Sequence, residues 1–331
     1  MPDLTPLRWG ILGAGNIAKK FTQGAQLNSD MVVAAVGSRD ISKAKAFAKE
    51  LNIAKAHGSY DQLCSDPEID VIYVATPHPH HKECALLALQ HGKPVLCEKP
   101  FTLNAGETEE MIDAAHGARL FLMEGMWSRF FPAMVKLREL LAQKVIGEPR
   151  MLHADFGFRT GFDPMGRLFD PKLGGGALLD VGIYPISLSS MIFGEPDRIT
   201  GLATMCATGV DEQSAFLLGH PGGSISVLST AVRTETPHNA IIMGTEGMIT
   251  IPAPFWKAQG LIVQRAGKPE ERIDFPTEGT GFQFEAAHVA ECLRAGKIES
   301  PVIPLSESLS IMRTLDTLRA QWGLTYPSEQ V

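Results

Sequence analysis

The chain has 331 residues, more than one hydrophobic core usually serves, so two domains are expected. Its net charge of −7, from 30 basic against 37 acidic residues and without a basic run, argues against nucleic acid or an anionic membrane as a partner. The apolar share of 44% is that of an ordinary enzyme, Met1 to Arg8 lacks a signal peptide's pattern, and no uninterrupted apolar stretch reaches the roughly 20 residues that cross a bilayer; a soluble cytoplasmic protein is expected. Trp9 to Leu12 and Met31 to Val36 read as buried strands, with helical spacing from Asn16 to Leu27 between them. Strands at Val71 to Ala75 and Pro94 to Cys97 follow, interleaved with helices at Ile41 to Leu51, His81 to Gln90 and Ala105 to Ala115. That rhythm predicts a doubly wound parallel sheet, an α/β Rossmann domain, which Arg119 to Met123 extends by one strand.

After Met126 the rhythm changes, and the domains are placed at 1–126 and 127–331. Phe131 to Gln143 predicts an amphipathic helix ended by Gly147-Glu148-Pro149. Alternating strands come next, at Arg150 to Phe158, Ile199 to Thr208, Ser214 to Leu218, Ser224 to Thr230, Ala240 to Gly244 and Gly247 to Ile251. Short Gly-rich connections between such strands suggest an α+β domain with a largely antiparallel open sheet, covered on one face. Helices return at Phe282 to Ala295 and Ser306 to Gln321. The five cysteines are scattered and never form a C-x-x-C pair, so free thiols are expected.

Gly13-Ala14-Gly15-Asn16-Ile17-Ala18 joins the first strand to the first helix, the context in which G-x-G-x-x-G/A binds a dinucleotide. Gly13 permits the tight turn, Gly15 admits a pyrophosphate to the backbone, and Ala18 lets helix and strand pack closely. The phosphates then meet the N–H groups that open the helix, at Asn16 and Ile17. At the end of the second strand an NAD site wants a carboxylate for the ribose. Here Ser38 and Arg39 stand instead, a hydroxyl and a planar guanidinium that suit a 2′-phosphate, while Asp40 is expected to cap the next helix. NADP is therefore expected rather than NAD. His78, His80, His81 and Cys84 have a metal-like composition, but Pro79 breaks their spacing and no second ligand pair is near, so no metal is expected.

Three further segments stand out: Thr76-Pro77-His78-Pro79-His80-His81, Glu98-Lys99-Pro100, and Gly174-Gly175-Gly176-Ala177-Leu178-Leu179-Asp180-Val181-Gly182-Ile183-Tyr184. Together with the fingerprint glycines they make the chain resemble, over its whole length, the glucose–fructose oxidoreductase, inositol dehydrogenase and rhizopine catabolism (Gfo/Idh/MocA) family. Met123 to Phe130 and Tyr184 look most like its dimeric dihydrodiol dehydrogenase and D-xylose dehydrogenase branch. The resemblance implies that Thr76, Pro77, His78, His81, Glu98 and Lys99 line the cofactor, and that Lys99 and Asp180 serve catalysis. His78 replaces the family's usual Asn, and Tyr184 replaces the His that many members carry; the latter argues against inositol as substrate.

Hydride transfer at a C–OH group requires an acid/base for the oxygen's proton. Asp180 and Tyr184 are four apart, which on a helix is one face. A lone tyrosine, with a pKa of about 10, is a poor base at neutral pH, and an ammonium such as that of Lys99 would stabilise its phenolate. Trp127, Phe156, Phe158, Trp256 and Phe282 are candidate aromatic walls for a ring-shaped substrate, and Arg129 is placed with them. The expected activity is NADP(H)-linked oxidation of an aldose or trans-dihydrodiol. The alternatives are a reductase of a sugar ketone or aldehyde of the anhydrofructose type, and a non-catalytic NAD(P)-sensing regulator. A homodimer or higher oligomer is expected, because an open sheet with an uncovered face needs another surface against it.

Overall fold

The structure, a computed structural model, describes residues 5–329. The start of the Met1 to Arg8 segment, and Gln330 and Val331 of the expected second domain, lie outside the described residues. The described chain forms two compact units, 5–102 with 106–127 and 278–308, and 103–105 with 128–277 and 309–329. Residues 278–308, expected in the second domain, therefore group with the first unit.

The first unit carries six parallel strands, β1 (Leu7–Leu12), β2 (Met31–Gly37), β3 (Lys55–His57), β4 (Val71–Val74), β5 (Val95–Glu98) and β6 (Leu122–Gly125), in the order β3-β2-β1-β4-β5-β6. Every residue of β4 and β5 is buried, which is why they read as continuous apolar runs instead of alternating ones. Strand order reverses between β1 and β4, and ligands of doubly wound sheets bind at the carboxyl ends on either side of such a point. Phe282–Arg294, a helix from the distant segment, lies against the helix Asn16–Ala25. Phe282 meets the Phe21 ring edge-on at 6.3 Å, and Asn28 Nδ2 donates to the Gln283 carbonyl at 3.0 Å.

The second unit is built on eight strands: β7 (Pro149–Gly157), β8 (Arg198–Met205), β9 (Asp211–Gly219), β10 (Ile225–Ala231), β11 (Ala240–Gly244), β12 (Gly247–Ile251), β13 (Gly260–Arg265) and β14 (Glu271–Asp274). Their order is β14-β13-β12-β11-β7-β10-β9-β8, antiparallel except where β7 pairs with β10. One face buries Leu152, Phe216, Leu228, Ile242 and Ile249. The helix Ile183–Phe193 packs on the sheet at β7 and β10. Side chains of the other face include Leu202, Leu217, Ile225, Val227 and Met248, all substantially exposed.

The stretch Pro171–Phe193 has a mean hydropathy of 1.4, but its helix is broken at Gly174–Gly176 and it carries Lys172 and Asp180. Its most apolar window is 83% buried, so it is the central core helix of the second unit. All five cysteines are free, and four are buried.

Candidate active site

In the first unit the β1 loop is shaped by its glycines. Gly13 has φ +108°, and a Cβ there would lie 2.8 Å from the Ala75 carbonyl oxygen, so only glycine lets the two strand ends close. Gly15 caps the helix Asn16–Ala25 without any side-chain hydrogen bond, and a Cβ at Gly15 would meet nothing within 4 Å. Open space thus stands in front of amides that no capping side chain occupies, as an anion requires. Asn16 is exposed, Ile17 half-buried, and Ala18 fully buried. At the end of β2, the Ser38 hydroxyl accepts from the Asp40 N–H at 3.2 Å, and Asp40 accepts from the N–H groups of Ser42 and Lys43 at 2.8 and 3.4 Å. Asp40 is thereby committed to capping, and Arg39 is left exposed near Tyr60. These residues fit a dinucleotide, which when bound supplies the hydride acceptor or donor.

Two loops at the carboxyl ends of β4 and β5 are tied together by His81. The imidazole is fully buried, with Nδ1 2.8 Å from the Pro100 carbonyl oxygen and Nε2 2.9 Å from that of Thr76. Burial lowers its pKa against the pull of those carbonyls. Both ring nitrogens thus face backbone, which suits the supporting place the motif gives this residue. Thr76 and His78 are buried as well, with His78 edge-on to the His81 ring at 5.7 Å, whereas Pro77 is exposed. Glu98 is also buried: the Tyr73 hydroxyl donates to one carboxyl oxygen and the Lys99 N–H to the other, at 3.2 Å for the latter. Burial pushes the Glu98 carboxyl up to about 7, and burial with the charge of Glu98 pushes neighbouring Glu285 well above the usual range. Neither carboxyl oxygen of Glu285 has a hydrogen-bond partner. Lys99 itself is half-buried.

In the second unit the glycine-rich segment turns into the core helix. Gly176 has φ +119°, and a Cβ there would lie 2.4 Å from Asp211 Oδ1. The other oxygen of Asp211 accepts the Leu178 N–H at 2.7 Å, and the Tyr326 hydroxyl donates to the Gly175 carbonyl at 2.7 Å. Leu178–Gly182 is a π-helical turn, so Asp180 and Tyr184 stand on a widened turn running into the helix Ile183–Phe193. Asp180 receives a forked ion pair from Arg167, 2.7 Å from NH1 to Oδ1 and 3.3 Å from NH2 to Oδ2. Tyr184 lies among aromatic rings, with Phe156 at 5.4 Å and Trp256 at 6.4 Å between centroids. Phe156 stacks on Trp256, Phe158 meets Phe156 edge-on at 6.4 Å, and His238 meets both Phe156 and Trp256.

The six residues expected at the substrate therefore divide. Phe156, Phe158 and Trp256 gather around Tyr184, whereas Trp127 and Phe282 stack on each other in the first unit at 4.7 Å. Arg129 is a correction: only 1% exposed, it donates through Nε to the Ser187 hydroxyl at 3.0 Å and through NH2 to the Ser187 carbonyl at 2.6 Å. Its guanidinium fastens the core helix. Sequence reasoning missed Arg167, His238 and Asp211. His238 carried no local motif, although its φ of +65° is uncommon for a residue with a Cβ.

Comparison with known proteins agrees with this architecture. Residues 7–126 match a family model described as an oxidoreductase family with an NAD-binding Rossmann fold, and residues 134–250 match the GFO/IDH/MocA C-terminal domain. The chain is 42% identical to the trans-1,2-dihydrobenzene-1,2-diol dehydrogenase of Mus musculus, over 98% of this chain and 99% of the mouse protein. It is 41% identical to the enzyme of that name from Homo sapiens over the same shares of the two chains. Among solved structures, an aldose–aldose oxidoreductase from Caulobacter crescentus superposes with a TM-score of 0.86 at 24% identity, covering 96% of this chain and 98% of its own. A 3-ketoreductase from Actinomadura kijaniata, in complex with NADP and TDP-benzene, gives 0.84 at 25% identity, covering 95% and 97%. The chain is therefore an NAD(P)-dependent dehydrogenase belonging to the Gfo/Idh/MocA oxidoreductase family.

Proposed function

We propose that the protein is an NADP-linked dehydrogenase that oxidises a CH–OH group of a trans-dihydrodiol or an aldose. The observation that carries this reading is the placement of Tyr184 among Phe156, Trp256 and His238, since flat rings beside an acid/base suit a planar, unsaturated diol. The relatives named as trans-dihydrodiol dehydrogenases support the same choice. In the proposed reaction Tyr184 takes the hydroxyl proton as the C–H bond yields its electron pair to the nicotinamide, leaving a carbonyl product and the reduced cofactor. Lys99 is assigned as the cation that favours the phenolate. Asp180 orients. Gly13, Gly15, Asn16, Ile17 and Ala18 would hold the pyrophosphate, with Thr76, Pro77, His78, Glu98 and Lys99 toward the nicotinamide. Exposed Arg39, with Ser38 beside it, favours the 2′-phosphate of NADP.

The exposed apolar face of the second sheet supports a homodimer, and five unpaired thiols support a reducing, cytoplasmic setting. The test follows reduced-nicotinamide absorbance with NADP⁺ or NAD⁺ against aldoses, inositols and aromatic trans-dihydrodiols. Turnover with NADP⁺ on a dihydrodiol or aldose is expected, with Lys99→Ala and Tyr184→Phe losing it while still binding cofactor. Turnover confined to inositol with NAD⁺ would overturn the assignment.

A further inference from the structure

Asp180 lies at the heart of the signature segment, yet a carboxylate next to an acid/base tyrosine poses an electrostatic problem. Its negative charge opposes ionisation of the phenol. The second unit holds a countermeasure in the loop before the glycines. Phe169 is buried in a cluster with Ala177, Val181 and Val232, and its carbonyl accepts from the Thr208 hydroxyl at 2.5 Å. The Gly176 N–H donates to the Leu168 carbonyl at 2.9 Å, and the Gly175 N–H to that of Asp170 at 3.1 Å. Those contacts pin the loop to the start of the very helix that bears Asp180 and Tyr184, and so fix where Arg167 stands.

We propose that Arg167 is a positioning residue that locks Asp180 as a permanent carboxylate and cancels its charge, so that Asp180 orients without exchanging a proton and Tyr184 ionises beside it. This rests on the reading of Tyr184 as the acid/base. The geometry is the forked, two-point contact that planar guanidinium makes with carboxylate, one that a lysine cannot copy. Arg167 is half-exposed and Asp180 nearly buried, so the carboxylate meets the cation in surroundings that screen it poorly. Burial works against the charge of Arg167, but Asp180 and Tyr184 together hold its proton more firmly than water would.

Two other titratable groups of the second unit have partners of their own. The His238 N–H donates to Asp155 Oδ1 on β7 at 2.7 Å, and its ring faces the Gly157 carbonyl. Asp211 is turned toward the Leu178 N–H. Lys99 is the remaining cation of the proposed mechanism, and its effect is common to every variant compared.

The experiment measures kcat and KM for diol or aldose oxidation across pH with full-length wild type, Arg167→Met, Arg167→Lys and the double variant Arg167→Met/Asp180→Asn. In Arg167→Met the rising limb of kcat moves up by about one pH unit, a roughly tenfold loss on the limb, with cofactor KM unchanged. Arg167→Lys recovers part of this, and adding Asp180→Asn returns the limb toward its wild-type position. Should Arg167→Met not fold, Arg167→Gln reads the same shift. A limb that stays in place in a folded, charge-less variant, while Tyr184→Phe is inactive, overturns the role of Arg167 alone. Full turnover by Tyr184→Phe overturns the acid/base assignment, and this proposal with it.

Discussion

Gly13 and Gly15 are two residues apart in one loop, and the structure predicts opposite consequences for adding a methyl group to each. At Gly13 an alanine would have to adopt φ +108°, which costs about 1–3 kcal/mol for a residue with a Cβ. It would also press on the Ala75 carbonyl oxygen from 2.8 Å, and Ala75 cannot retreat freely because its N–H is bonded to the Leu12 carbonyl at 2.9 Å. Overpacking of that kind adds about 1–3 kcal/mol. Gly13→Ala should therefore lose about 2–6 kcal/mol of stability, on the order of 10 °C in Tm. At Gly15 φ is −98° and the added methyl meets nothing, so Gly15→Ala should melt within about a degree of wild type or slightly above it. Its methyl does occupy the approach to the helix amides, where loss of one or two charge-assisted hydrogen bonds costs about 1.5–3 kcal/mol, or roughly 10–100-fold in Kd. Thermal melts and fluorescence titration with NADPH separate the two effects. A Gly15→Ala protein that binds NADPH as wild type does would refute the assignment of that space to a pyrophosphate.

Three further outcomes follow from named contacts. Burial pushes the Asp211 carboxyl from 3.8 up to about 6, so its contribution to stability is fully present below about pH 4 and is lost as pH rises through 6, a change of about 3 kcal/mol. Asp211→Asn, which keeps an acceptor for Leu178, should flatten urea-unfolding stability between pH 4 and 7, and parallel curves for the two proteins would contradict this. Arg129→Met should cost about 2–4 kcal/mol by stranding Ser187, yet leave the substrate KM of the folded enzyme unchanged; a raised KM would return Arg129 to the substrate site. Leu217 and Val227 are cross-strand neighbours on the exposed sheet face, so Leu217→Lys/Val227→Lys should yield monomers by light scattering if that face joins two copies. Wild-type mass in that variant would place any interface elsewhere.

How much was legible depends on whether a signal was local. Strands β4 and β5 stood out because sheets covered on both faces write uninterrupted apolar runs, and the first helix because its glycines precede it at a fixed spacing. β3 was not seen: three half-buried residues, Lys55–His57, hold no period. Nor were β13 and β14, the second of which, Glu271–Asp274, is a mostly charged edge strand. The core helix Ile183–Phe193 is buried through most of its length, so it offered no amphipathic stripe to mark its limits. Lys99, Asp180 and Tyr184 stand in short motifs, whereas Arg167 pairs with Asp180 from a loop held by buried Phe169 and by backbone bonds to Gly175 and Gly176, which write no local pattern. The grouping of 278–308 with the first unit rests on contacts such as Phe282 with Phe21, more than 250 positions apart, which no window along the chain can reveal.

His81 packs one rigid ring between the carbonyls of Thr76 and Pro100, donating to one as a neutral ring and to both when protonated, so the loop after β4 and the turn behind Lys99 are mechanically coupled. Anything that displaces one must drag the other. Remodelling of the loop after β4 will therefore be felt at the lysine, and laboratory evolution should find compensating changes there. The imidazole also offers a spectroscopist a natural reporter: its ring protons, sealed from solvent, will register strain in either loop before turnover changes.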